Sequence, residues 1–161
     1  MRGGDSFSQA IRDSLARDSG TPLFLRAGAA FTLRRMTLRI RRIAIADDSP
    51  AFVSAVSNYV ESLPGYELAG TARTSAQALE LVENAEPDVL LLDLGLAPAR
   101  GLDLLRRLKA LPGRPAVVAM TLFHTPEAAA EARRAGADAL VGKEAFVVGL
   151  NQALAQLFPA V

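Results

Sequence analysis

The sequence predicts an α/β fold: a doubly wound, five-stranded parallel sheet in a (βα)5 arrangement. Three observations carry that expectation. Val89-Leu90-Leu91-Leu92 is an apolar run with no polar alternation, the pattern of a strand buried on both faces, and it ends in the carboxylate of Asp93. Strand-like runs alternate along the chain with segments whose apolar residues recur at helical spacing. Prolines and glycines punctuate the joins between them.

The elements follow in order from about residue 38. Arg42-Ile43-Ala44-Ile45-Ala46 reads as a first strand running into Asp47-Asp48. Ser49-Pro50 then opens a helix, with Ser as cap and Pro at the first helical position. Phe52, Val53, Val56, Tyr59, Val60 and Leu63 give that helix its apolar stripe, and Pro64-Gly65 ends it. Residues 66–72 form a short second strand, and Ser75 caps a second helix that runs to about Ala85, with Ala78, Leu81 and Val82 inward. Glu86-Pro87 closes it before the central strand. After Asp93 a loop leads to Gly101 and a third helix marked by Leu102, Leu105, Leu108 and Leu111. Pro115–Met120 is a fourth strand ending at Thr121, and an Ala-rich fourth helix spans Pro126 to Arg134 and is closed by Gly136. A short fifth strand, Ala139–Val141, ends near Gly142-Lys143. The last helix carries Phe146, Val147, Leu150, Ala153, Leu154 and Leu157.

Composition narrows the function classes. A chain of 161 residues with 50% hydrophobic content can bury one good core, so one domain is expected over 38–161. Residues 1–37 show no sustained period and read as a disordered N-terminal extension, with Met36 a natural alternative start. There is no cysteine, hence no disulfide framework or thiolate metal site, and a single His124, read as a solvated loop residue, excludes a His-rich centre. No apolar run reaches the roughly 20 residues needed to span a bilayer, so a cytoplasmic protein without membrane contact is expected. The net charge of +1 is uneven: nine Arg against three Asp in residues 1–42 give +6, while nine Lys or Arg against fourteen Asp or Glu in 43–161 give −5. The globular part is mildly acidic and has no basic stripe, which argues against a direct nucleic-acid role. The Arg-rich arm offers at most non-specific contact.

The chemistry lies at the strand ends. Strand one ends in Asp47-Asp48, strand three in Asp93, strand four in Thr121, and strand five beside Lys143. In a parallel sheet these ends share one edge, where ligands of such folds bind. Three converging carboxylates repel one another unless a cation joins them, and a hard divalent ion such as Mg2+ suits their oxygens. Lys and Thr beside it suit the oxygens of a phosphoryl group, and an Asp can accept that group as an acyl phosphate. A dinucleotide site would need glycines after strand one, where Ala46-Asp47-Asp48-Ser49 would repel a pyrophosphate, and no P-loop is present. An aspartyl phosphatase with a second Asp two residues after its nucleophile would need one at position 95, which is Gly.

With these residues in place, positions 40–158 resemble a response-regulator receiver domain of the two-component systems. The matches are Asp47-Asp48-Ser49-Pro50, Asp93 with Gly101 eight residues on, Thr121, and Gly136-Ala137-Asp138 leading to Lys143. The stretch Tyr66-Glu67-Leu68-Ala69-Gly70-Thr71-Ala72 resembles receivers that usually precede a helix-turn-helix output, and none follows here. The resemblance implies a flavodoxin-like, CheY-like sheet of order 2-1-3-4-5. It implies that Asp93 is the phosphoacceptor, and that Asp48, Asp93 and the Gly95 carbonyl bind Mg2+, with Asp47 acting through water. Lys143 would pair with the phosphoryl oxygens, or with Asp93 before phosphorylation, and Thr121 would move to bond the phosphoryl group. The implied partners are a sensor histidine kinase or histidine phosphotransfer protein and a downstream protein. A homodimer through the helix 4–strand 5–helix 5 face, where Arg133-Arg134 read as an exposed stretch, belongs to the same set. The implied protein is a stand-alone phosphorelay receiver that catalyses only its own phosphorylation and dephosphorylation. The alternative is a pseudo-receiver, an interaction module without phosphotransfer.

Four positions depart from the family pattern. Leu140 stands where a switching Tyr or Phe is usual, Glu144 where Pro commonly follows the Lys, Pro98 falls one residue late, and Leu122 replaces a small residue and narrows access. Leu140 reads as core. Phe52 and Val53 read equally as core or as part of a kinase-docking surface. Gly95 and Phe123, two residues after Asp93 and Thr121, cannot hydrogen-bond an attacking water through their side chains, so a long-lived phosphoryl group is expected.

Overall fold

A computed structural model describes residues 39–96 and 101–159. The expected extension over 1–37 and the loop proline Pro98 lie outside the described residues. Five strands form one parallel sheet: β1 (Arg41–Ala46), β2 (Tyr66–Ala72), β3 (Val89–Asp93), β4 (Ala116–Thr121) and β5 (Ala139–Gly142), in the order β2-β1-β3-β4-β5. The helices are α1 (Pro50–Ser62), α2 (Ser75–Ala85), α3 (Gly101–Lys109), α4 (Pro126–Ala135) and α5 (Phe146–Leu157), with a 3₁₀ turn, Lys143–Ala145, between β5 and α5. The expected fold class and strand order are both present.

The period-two alternation of side chains sorts the strands into two cores. Ile43, Ile45, Val89, Leu91, Val118, Met120 and Val141 point to one face and pack with Val56 and Val60 of α1 and with Phe146, Leu150, Ala153 and Leu154 of α5. Ala44, Ala46, Leu90, Leu92, Val117 and Ala119 point to the other face and meet α2, α3 and α4 through Ala78, Val82, Leu104, Leu105, Leu108, Ala132 and Ala135. Every residue of β3 is buried, as its unbroken apolar run requires. Leu140 packs on the second core, as its reading as a core residue expects.

The helix ends follow local chemistry. Ser49 caps α1 through its side chain, which accepts from the Phe52 amide, and Pro50 takes the first helical position. The cap of α2 is Thr74 rather than Ser75: the Thr74 side chain accepts from the Gln77 amide, and Ser75 lies inside the first turn. Both hydroxyls suit a cap; the extended backbone falls at Thr74, which decides it. Gly136 ends α4 at φ 115°, a left-handed conformation that other residues resist, and its amide reaches Ala132 and Arg133 carbonyls.

The strand order has one consequence for function. The chain leaves β1 toward β2 on one side, then crosses back to β3 on the other. The carboxyl ends of β1 and β3 therefore flank the topological switch point, where a crevice opens beyond the sheet. Asp47 follows β1 there and Asp93 ends β3.

Candidate functional site

The β1–β3 register sets Ala46 opposite Leu92, so the next residue of each strand, Asp47 and Asp93, emerges at the same level. Asp48 follows in the turn into α1. Asp47 is fully buried, Asp93 is 8% exposed, and Asp48 is exposed. Each of the three offers one carboxylate oxygen within 4.8 Å of the others. Thr121 ends β4 beside Gly142 of β5, which carries the chain into Lys143. An open pocket is lined by Asp48, Asp93, Gly95, Thr121 and Lys143 together with Ser49, Phe52, Leu122, Phe123 and Glu144. The structure thus brings all the expected site residues to one edge, with Asp47 fully buried and not part of the pocket lining.

The lysine pairs with Asp93 as the resemblance implies, and it has a second, closer partner in Asp47. Lys143 Nζ donates to Asp47 Oδ2 at 2.6 Å and stands 3.5 Å from Asp93 Oδ1, so its hydrogen bond goes to Asp47 and its longer ion pair to Asp93. Burial explains the choice: a carboxylate with no solvent exposure depends most on a nearby cation. The other Asp47 oxygen accepts the Ser49 amide at 2.9 Å, which locks the acidic pair to the start of α1. Asp93 Oδ1 accepts the Gly95 amide at 3.1 Å. Burial pushes the Asp93 carboxyl above its ordinary pKa; the Gly95 amide pulls it down, nearby Asp47 pushes it up again, and Lys143 opposes both upward effects.

Gly101 owes its place to this site. A β-carbon there would meet the Asp93 carbonyl oxygen and the Leu94 α-carbon, both at 2.6 Å. Only glycine lets α3 start so close to the end of β3, and the Gly101 amide donates to the Leu94 carbonyl at 3.1 Å. The Thr121 hydroxyl is held in its own loop, accepting the Phe123 amide at 3.2 Å. Leu122 and Phe123 are 68% and 78% exposed, so Leu122 forms part of the rim of the pocket and does not plug it. His124, Arg133 and Arg134 are exposed. Asp138, part of the Gly136-Ala137-Asp138 motif, is not at the site. It pairs with Arg114 at 2.9 Å and accepts the Val117 amide at 2.8 Å, fastening the opposite edge of the sheet.

Phe52 has a place that periodicity alone does not show. Its ring lies under Lys143 Nζ, 4.5 Å from the centroid, and meets Phe146 edge-on at 5.3 Å. Its position in the first turn of the helix that follows the acidic pair places it near the site, but nothing in the sequence says that its ring faces the ammonium. Glu144, in place of the usual Pro, folds its carboxylate back over the α-carbon of Gly142, where no β-carbon stands.

The donor set fits a hard divalent cation. Three carboxylates and one ammonium leave a net charge of −2 on oxygens that share one small space, and no soft or nitrogen ligand is among them.

A family model described as response regulator receiver domain matches residues 43–155. The nitrate/nitrite response regulator protein NarL of Escherichia coli K12 is 32% identical over 116 residues, which is 71% of this chain and 53% of that protein. Protein-glutamate methylesterase/protein-glutamine glutaminase 1 of Caulobacter vibrioides is 31% identical over 121 residues, 74% of this chain and 35% of that protein. The chain thus spans about half, or less, of these curated relatives. Among solved structures, a LuxR-family two-component response regulator from Aurantimonas matches with a TM-score of 0.68 at 28% identity, covering 73% of this chain and 84% of that one.

Proposed function

The chain belongs to the response regulator receiver domain family, and on that premise we propose that it accepts a phosphoryl group on Asp93 in a Mg2+-dependent reaction and signals through a partner protein. The donor is a phosphohistidine of a sensor histidine kinase or histidine phosphotransfer protein. One Asp93 oxygen attacks phosphorus, the P–N bond to the donor imidazole breaks, and the imidazole leaves with the bonding pair and takes up a proton. The product is an acyl phosphate on Asp93. The observation that carries this reading is the meeting of Asp47, Asp48 and Asp93 within 4.8 Å, with Lys143 against two of them.

Asp48, Asp93 and the Gly95 carbonyl would hold Mg2+ directly, with Asp47 acting through water. When bound, the ion supplies positive charge for the phosphoryl oxygens. Lys143, 3.5 Å from Asp93 Oδ1, is close enough to turn from Asp47 to those oxygens as charge develops on them. The Thr121 hydroxyl, which donates to the Phe123 carbonyl at 3.4 Å, bonds the new phosphoryl group by turning its O–H away from that carbonyl. The partner reads the change at the face of α4, β5 and α5, which a second copy of the chain can also use. Direct binding of nucleic acid or membrane is not part of the proposal; among the described residues no helix is long and apolar enough to cross a membrane. A cytoplasmic setting belongs to the proposal.

Leu140, in place of an aromatic, favours one second reading: an interaction module that keeps the fold without phosphotransfer. Removing Mg2+ with chelator separates the two. Phosphorylation by phosphoramidate is expected to stop in chelator and return with Mg2+, and Lys143→Ala is expected to slow it by about tenfold to a hundredfold. Phosphorylation unaffected by both changes would count against the assigned roles.

A further inference from the structure

We propose that Phe52 is a positioning residue for phosphotransfer, the face of its ring holding the Lys143 ammonium against Asp47 and Asp93. The proposal rests on the reading of Asp93 as phosphoacceptor. Lys143 reaches the site on a flexible four-carbon stem at the edge of an open pocket, and such a stem gains rotamer freedom by turning into water. Two sides of the ammonium are taken by carboxylates, at 2.6 Å and 3.5 Å. The Phe52 ring, 4.5 Å from Nζ, takes another, and the lysine side chain is left only 12% exposed.

The ring is itself held from two directions. On the chain side, Phe52 stands in the first turn of α1, where its amide donates to the Ser49 side chain at 3.4 Å, while the Ser49 amide donates to Asp47 at 2.9 Å. The carboxylate that binds the lysine therefore also anchors the cap that sets the ring. On the other side, Phe146, three residues after Lys143, meets the ring edge-on at 79°. Asp47, Ser49, Phe52 and Lys143 close a circuit.

An aromatic ring suits this position better than either alternative. A carboxylate or amide would compete for the N–H groups that must serve Asp93 and then the phosphoryl oxygens. An aliphatic side chain would wall off water without attracting the charge. The ring attracts the cation through its π face and takes none of its hydrogen bonds.

The test uses the full chain with Mg2+ and phosphoramidate, and a series in which Phe52 is replaced by mono-, di- and trifluorinated phenylalanine. Fluorine drains the π face while leaving the ring's shape nearly unchanged. The phosphorylation rate is expected to fall stepwise, reaching about threefold to tenfold at the end of the series and in Phe52→Leu, with Mg2+ affinity constant. A second reading needs neither donor nor metal. The Lys143 ε-methylene protons are expected upfield in the NMR spectrum through the ring current, and at their ordinary position in Phe52→Leu. A flat rate across the fluorinated series would overturn the proposal, leaving Phe52 as filler, and so would an unshifted methylene. If the unsubstituted chain gains no phosphoryl group, the phosphoacceptor reading fails instead, and the methylene shift decides on its own whether the ring holds the lysine.

Discussion

Asp93 is a carboxylate 8% exposed to solvent, and burial raises its pKa against the pull of the Gly95 amide and Lys143. A raised carboxyl favours folding while it is protonated, and that contribution is lost as pH climbs through the folded-state pKa. At neutral pH, without Mg2+, the ionised group therefore costs stability. Asp93→Asn is expected to melt at a higher temperature than the parent in chelator at neutral pH, with the difference closing on acidification; thermal melts across that range check it. Gly95 and Phe123 give a second expectation. Gly95 offers the site backbone groups and no side chain, and the exposed Phe123 ring carries no hydrogen-bonding atom to align a water. The phosphoryl group is expected to be long-lived, and Gly95→Asn to shorten its lifetime severalfold, read from the decay of phosphorylated mass; an unchanged rapid decay would refute this. Much of this was legible in the sequence, because a carboxylate after a strand end can only stand at the sheet edge. The pairing of Lys143 with Asp93 is among the legible features, but its shorter hydrogen bond to Asp47 is not, because that bond follows from the complete burial of Asp47, which the pattern of strand ends does not report. Nor is the place of Phe52, since an apolar residue at helical spacing looks the same whether it faces a core or an ammonium.

Among the elements, β3 was read directly because its five residues are buried and its sequence admits no other use. The cap of α2 is not legible, because Thr74 and Ser75 are interchangeable as caps on paper and backbone conformation separates them. The spacing Leu102, Leu105, Leu108 leaves out Leu104, yet Leu104 is fully buried and Leu102 only partly, because Leu104 and Leu105 both face the core. At the edge away from the site, the elements are joined by acids that periodicity does not report. Asp88 accepts the Arg42 amide at 2.9 Å and pairs with Arg39 at 2.8 Å. The Arg39 side chain is 75% exposed, so that ion pair contributes little, and the backbone bond dominates. Asp88→Ala is expected to destabilise the fold by about 1–3 kcal/mol in denaturant titration, with the phosphorylation rate of the folded protein unchanged.

At the scale of the molecule, two cores clamp one sheet, and the order β2-β1-β3-β4-β5 gathers the strand-end chemistry into a single crevice. Alternating apolar and amphipathic segments made that architecture legible, and the acidic strand ends made the site legible. Pairings across the crevice depend on side-chain reach and burial, which no linear pattern encodes. The central claim is that Asp93 takes a phosphoryl group. It is tested most directly by the intact mass of the chain after incubation with Mg2+ and phosphoramidate, beside Asp93→Asn treated alike. The account predicts a gain of one phosphoryl group in the parent and none in the variant. The same gain in both, or no gain in a folded parent that binds Mg2+ and is offered donor in excess, would contradict it.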